Sequence, residues 1–146
     1  MESLSLLLPG TWQLESRIDI TATRERHPEP SLGEDPIALL IYDRSGHFAA
    51  QFMRRDRNTV VPDGPSGAKN NSRAQGGYDA YFGTYTVDDN HRTVTQCLLG
   101  ALSAENVGSV LTREVNVRDN KLVITLQTTS WDGTAVTRTL TWSRVD

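Results

Sequence analysis

The sequence predicts an all-β fold, a single eight-stranded antiparallel up-and-down barrel, with a short lid helix as the one helical candidate. Three observations carry this reading. Residues 12–20 alternate, with Trp12, Leu14, Ser16, Ile18 and Ile20 on one parity and Gln13, Glu15, Arg17 and Asp19 on the other, as a strand with one dry and one wet face does. Seven further stretches of strand character follow in order, parted by segments rich in turn formers. The last of them carries Leu140-Thr141-Trp142-Ser143-Arg144, which offers the first strand a partner from the far end of the chain and so closes the sheet.

Each element has its own signal. Gly10 before Trp12 lets the chain turn tightly while a large ring swings under the sheet. Residues 21–36 hold Arg24, Glu25, Arg26, His27, three prolines and Gly33 without apolar periodicity, so they form a loop, and its length marks a lid or binding loop rather than a plain link. Residues 37–43 and 47–54 flank Arg44-Ser45-Gly46 and make a hairpin with glycine at the turn. In its second strand Phe48, Ala50 and Phe52 oppose Ala49, Gln51 and Met53, and the two faces differ too little in polarity to assign the inner one. Residues 55–77 break the pattern; their second half holds the lid-helix candidate, started by Asn71 or Ser72 and stopped by Gly76-Gly77. Strands over 79–87, 92–99, 109–117, 121–128 and 134–145 complete the eight, separated by Asp88-Asp89-Asn90, residues 100–108, Arg118-Asp119-Asn120 and Trp131-Asp132-Gly133. A two-sheet sandwich is the alternative, and the short links speak against it, because sandwiches need longer crossovers.

Length and composition set bounds on partners. One domain spans residues 1–146, enough chain to bury roughly two-thirds of its unfolded surface without a staple. A net charge of -3 favours neither nucleic acid nor an anionic membrane surface. Cys97 is the single cysteine, so an internal disulfide is ruled out and a reducing, cytoplasmic setting is the plain expectation. Leu4 and Leu6 to Leu8 lack a basic flank and are too few for a signal peptide or a membrane span. Nothing in the sequence sets the oligomeric state.

With the strands placed, the chain resembles the lipocalins, and more closely the small bacterial and fungal lipocalin-like domain proteins. Gly10-Thr11-Trp12 matches the Gly-x-Trp opening of their first strand, and Arg144 stands where that pattern sets an Arg against the first Trp. The narrower family is matched by Leu40-Ile41-Tyr42-Asp43-Arg44-Ser45-Gly46, by Gln51 and Arg54 with Asp56-Arg57, and by Gly77-Tyr78-Asp79-Ala80-Tyr81-Phe82-Gly83-Thr84-Tyr85. The resemblance covers nearly the whole chain and implies a cup-shaped barrel for small, mostly apolar molecules, with some relatives reported as enzymes. Similar sequences carry a His near Gln96 or Cys97; this one does not, and no role of that His transfers.

The residues that point to chemistry are charged ones on an apolar parity. Arg113 sits among Leu111, Val115 and Val117, and Arg138 among Val136, Leu140 and Trp142, so an inward apolar face brings both guanidiniums into the barrel. A buried guanidinium costs several kcal/mol unless it is satisfied. Two readings stay open: an internal ion pair or a snorkelling side chain, and a clamp for a carboxylate, enolate or phenolate. Tyr81 and Tyr85 share a parity and offer rings with a hydroxyl at the tip, as does the more ambiguous Tyr42. His27 is kept as a ligand-binding candidate because the first long loop lies over the mouth of such a barrel. His47 and His91 adjoin turns, Cys97 has no base near it in sequence, and Arg54, Arg55 and Arg57 read as a solvated rim. No histidine pair has metal-ligand spacing and no Gly-rich phosphate loop is present, so no metal and no cofactor is expected.

These features lead to three readings. The first is binding of a small hydrophobic or amphipathic molecule with a carboxylate, enol or phenol group. The second is a cofactor-independent isomerase, cyclase or dehydratase, which needs a proton acceptor in the cup; the sequence shows no obvious inward His, Asp or Glu, and that tilts the reading to binding. The third is an interaction module with a filled core.

Overall fold

The computed structural model describes residues 3–57 and 74–145. Among the described residues the chain forms nine strands, the eight alternating stretches and one short addition: β1 (Gly10–Thr21), β2 (Arg26–His27), β3 (Ile37–Tyr42), β4 (His47–Met53), β5 (Tyr78–Asp88), β6 (Thr93–Ala101), β7 (Val110–Arg118), β8 (Lys121–Thr129) and β9 (Ala135–Arg144). All neighbours run antiparallel, and β1 pairs with β9 from Trp12↔Arg144 to Thr21↔Val136. That pairing closes eight strands into a barrel, leaves the short β2 as an extra strand beside the upper half of β1, and excludes the sandwich. Asn71 and Ser72, the expected N-caps of a lid helix, lie outside the described residues.

One end of the barrel is shut. A single helical turn, α1 (Leu4–Leu7), lies beneath it with Leu4 and Leu8 buried, and the Leu8 carbonyl accepts the Trp12 indole N–H at 3.0 Å. The α1 end is held in place because Asp89 accepts the Ser5 amide N–H and both Ser3 and Ser5 hydroxyls. Trp12 is fully buried, with the Arg144 guanidinium 4.2 Å from its ring centre, and that guanidinium also donates to the Leu7 and Pro9 carbonyls. The first and last strands are therefore locked by a cation–π contact in a dry site, the kind worth most to stability. Tight turns complete this end: Asp119 and Asn120, with φ of 52° and 63°, make the two-residue hairpin between β7 and β8.

The core is the inner face of the barrel, and β4 turns Phe48, Ala50 and Phe52 into it. Two irregularities matter. Between β5 and β6 the register shifts after Phe82, and Gly83 there approaches the opposite backbone so closely that a Cβ would stand 1.8 Å from the Cys97 carbonyl oxygen. Between β1 and β9 the register shifts at Leu14/Ser16, which leaves Glu15 as one extra residue on β1, exposed and ion-paired with Lys121. The even alternation expected over residues 12–20 is therefore broken, and a one-residue bulge sends each later side chain to the opposite face. Arg17 and Asp19, expected on the wet side, are buried in the barrel.

Candidate functional site

The open end is built from the upper half of β1, the starts of β5 and β9, the ends of β4 and β8, and the loop over residues 22–36. That loop folds down over the opening, as a lid does. Glu29, Ser31 and Leu32 are buried, and the Arg54 guanidinium donates to the Pro30 carbonyl. His27, in β2, faces Asp132 of the β8–β9 turn at 3.1 Å, and Trp131 of the same turn donates its indole N–H to the Pro28 carbonyl at 3.1 Å.

Among the described residues the buried charged side chains number six: Arg17, Asp19, Glu29, Asp79, Arg113 and Arg138. All belong to this upper half of the barrel. Asp19 and Arg138 stand directly opposite each other on β1 and β9, and the Arg138 fork grips the carboxylate with Nε to Oδ1 at 2.7 Å and Nη2 to Oδ2 at 2.9 Å. Arg17 reaches up to Glu29 at 3.0 Å, and Glu29 also accepts the Leu32 amide N–H and the Ser31 hydroxyl. Burial alone would raise the Glu29 pKa, but Arg17, Ser31 and Leu32 together hold it below the usual carboxylate range.

Asp79 is different. It lies beside Phe52 across the β4–β5 ladder, is 3% exposed, and enters none of the ion pairs formed among the described residues. Burial pushes its pKa up to about 7, against partial opposition from the Ala80 backbone and from the Arg17 and Arg138 charges. Among the described residues its Oδ1 has no hydrogen-bond partner, and neither has the buried Trp142 Nε1. An orphaned buried acceptor or donor costs about 1–3 kcal/mol. Both residues line one cavity.

The cavity they border measures about 50 Å³, within about 540 Å³ of empty space that opens to solvent. Its polar side is Arg17, Asp79, Tyr81, Gln96, Arg113 and Arg138; the apolar side is carried by Leu40, Phe52, Ile124, Leu140 and Trp142, with Leu32 of the lid and Leu126 nearby. Burial pushes the Arg113 guanidinium pKa down and the Arg138 charge adds to this, while Tyr81 and Tyr42 pull the other way.

The residues singled out in the sequence divide accordingly. Arg113, Arg138 and Tyr81 line one cavity. Tyr42 is buried just beneath it and accepts the Gln96 amide N–H at 2.7 Å, with burial holding its pKa well above the ordinary phenol value. Tyr85 sits toward the closed end, where its hydroxyl donates to the Asp43 carbonyl and its ring meets Tyr42 edge-on at 4.8 Å. His27 is on the rim with Asp132. The expectation of no inward acid is corrected by three carboxylates. Asp19 was hidden by the bulge and Glu29 by its place in an aperiodic loop, whereas Asp79 was visible: it precedes Tyr81 by two residues and shares its parity.

Among the described residues no three His, Cys, Asp or Glu side chains gather as metal ligands do, and no helix is long and apolar enough to cross a membrane. The sequence profile of a family described as lipocalin-like domain matches residues 9–145. A search of the curated proteins finds no match.

Proposed function

The chain belongs to the lipocalin-like domain family, and from that premise we propose that it binds a small amphipathic molecule bearing a carboxylate, enol or phenol group inside the barrel. The observation that carries this reading is that Asp79 and Trp142, each with a buried polar atom left without a hydrogen-bond partner among the described residues, line a cavity whose polar side also holds Arg113. The guest's apolar body rests against Phe52, Ile124 and Leu140, and its polar end lies among Arg113, Tyr81 and Asp79. Arg113, which lines the same cavity as Tyr81, is the guanidinium assigned to the guest's polar end. The cavity also weighs against the filled-core interaction module, which requires that large side chains meet across the barrel.

Native mass spectrometry of freshly purified protein, set against its mass after denaturation, tests the reading directly. A mass excess lost on denaturing is expected. Titration with phenylacetate as a small anionic probe then measures the clamp: Arg113→Met is expected to weaken binding by the ~1.5–3 kcal/mol of a charge-assisted hydrogen bond, roughly 10- to 150-fold. Equal affinity in the variant would remove Arg113 from the site, and neither a guest nor a bound probe would refute the binding reading itself.

A further inference from the structure

Most of the buried charge in the cup is spoken for: Arg138 holds Asp19, and Arg17 holds Glu29. Asp79 is the acid left over. It borders the cavity, its Oδ1 has no hydrogen-bond partner among the described residues, and it lies two residues from Tyr81 on the same face of β5. A carboxylate needed only to balance a guanidinium sits in its fork, as Asp19 does. An acid on a cavity wall that no guanidinium fork holds is instead placed to take a proton from what enters the cavity.

We propose that Asp79 is a catalytic base that shifts a proton within a small carbon acid held in the cup, so that the protein isomerises an enolisable carbonyl compound. The inference rests on the binding reading above and deepens it by naming the substrate class. In the forward step Asp79 takes a proton from the carbon next to the carbonyl. The C–H electron pair becomes a C=C bond, and the carbonyl π pair moves onto oxygen. That enolate oxygen lies among Arg113 and Tyr81, where a cation and a hydroxyl favour the developing charge. The protonated Asp79 then returns the proton to a different carbon of the enolate system. Atoms and electrons balance with no oxidant, reductant or cofactor.

The electrostatic setting supports the geometry. The charged and titratable groups around Asp79 are Arg17 and Arg138 from β1 and β9, with their partners Glu29 and Asp19, together with Tyr81 two residues along β5 and Arg113, which lines the same cavity. Their balance with burial leaves the carboxyl titrating at about 7, so both its base and its acid form are present near neutrality, as a group that must accept and return one proton requires.

The test uses two probes in deuterium oxide followed by proton NMR: phenylpyruvate, for deuterium entry at its benzylic carbon, and 3-cyclohexen-1-one, for migration of its double bond. Binding of each is measured in parallel by saturation transfer. The intact protein is expected to bind at least one probe and to accelerate its exchange or isomerisation at least tenfold over buffer, with the rate rising as pH passes through about 7. Asp79→Asn, at probe concentrations that saturation transfer shows to be bound by the variant, is expected to lose the acceleration. A probe that binds but reacts at the buffer rate, or a rate untouched by Asp79→Asn, overturns the catalytic assignment and leaves binding intact. Failure of both probes to bind overturns the binding reading on which it stands.

Discussion

Replacing Arg138 with Met separates structure from ligand recognition in this barrel. The Asp19 side chain is 1% exposed and its two oxygens are held by Arg138 at 2.7 and 2.9 Å. Met fills a similar volume but leaves that carboxylate without its cation, either as a bare buried charge or with a proton it takes up at a cost. Breaking a buried pair from one side costs about 3–5 kcal/mol, a large share of the 5–15 kcal/mol by which domains are stable. At about 2–4 °C per kcal/mol for a chain of this size, the thermal midpoint falls by roughly 6–20 °C. The double variant Asp19→Leu with Arg138→Met removes both charges and is expected to recover most of that loss, since apolar replacements of whole buried pairs are often neutral. Urea denaturation of the wild type, both single variants and the double variant completes the cycle. A single variant within 1 kcal/mol of wild type, or a double variant no better than the singles, would refute the reasoning that the pair is held for mutual satisfaction.

Two other outcomes follow from the same geometry. Asp79 titrates at about 7 in the folded chain against 3.8 as its reference value, so between these the folded state keeps a proton that the unfolded state has lost. Stability therefore falls as pH rises, by about 1.4 kcal/mol per unit, and levels off above 7; Asp79→Asn should match wild type near pH 4 and exceed it at pH 8 by on the order of 4 kcal/mol, and a gap in urea midpoint that does not vary with pH would sink this. Gly83→Ala puts a Cβ 1.8 Å from the Cys97 carbonyl oxygen, so the β5–β6 ladder must part at its bulge at a cost of about 3 kcal/mol, and a melting midpoint equal to wild type would show that the strands yield freely there.

Much of the architecture was legible because its signals are local and repeated. Period-two alternation placed all eight barrel strands to within a residue or two, and Trp12, Trp142 and Arg144 announced the seam between first and last strands. The short β2 was missed because two paired residues, Arg26 and His27, carry no period. The site was legible in part. Arg113 and Arg138 stood out as charges on apolar faces, and Tyr81 as a polar-tipped ring on an inward parity. Glu29 could not be found this way, since its burial depends on how an aperiodic loop folds over the mouth. Asp79 could have been: the parity that placed Tyr81 inside placed it there too.

The bulge in β1 carries the deeper lesson, for it and Arg138 require each other. Trp12 faces Arg144 and Leu14 faces Trp142, and an unbroken ladder continued from those pairs would set Ile18 opposite Arg138. The β9 parity that sends Val136, Leu140 and Trp142 into the core sends Arg138 with them, so the guanidinium would be buried against an aliphatic neighbour. One extra residue at Glu15 advances β1 by a single step and delivers Asp19 to that position instead, with Arg17 turned inward beside Leu140 to meet Glu29 of the lid. A bulge gives up regular ladder pairing at one residue, whereas an uncompensated buried charge costs several kcal/mol. An inward Arg on the last strand of such a barrel is thus a reason to look for an irregularity in the first, and it is this irregularity that makes the upper cup charged and the lower core dry.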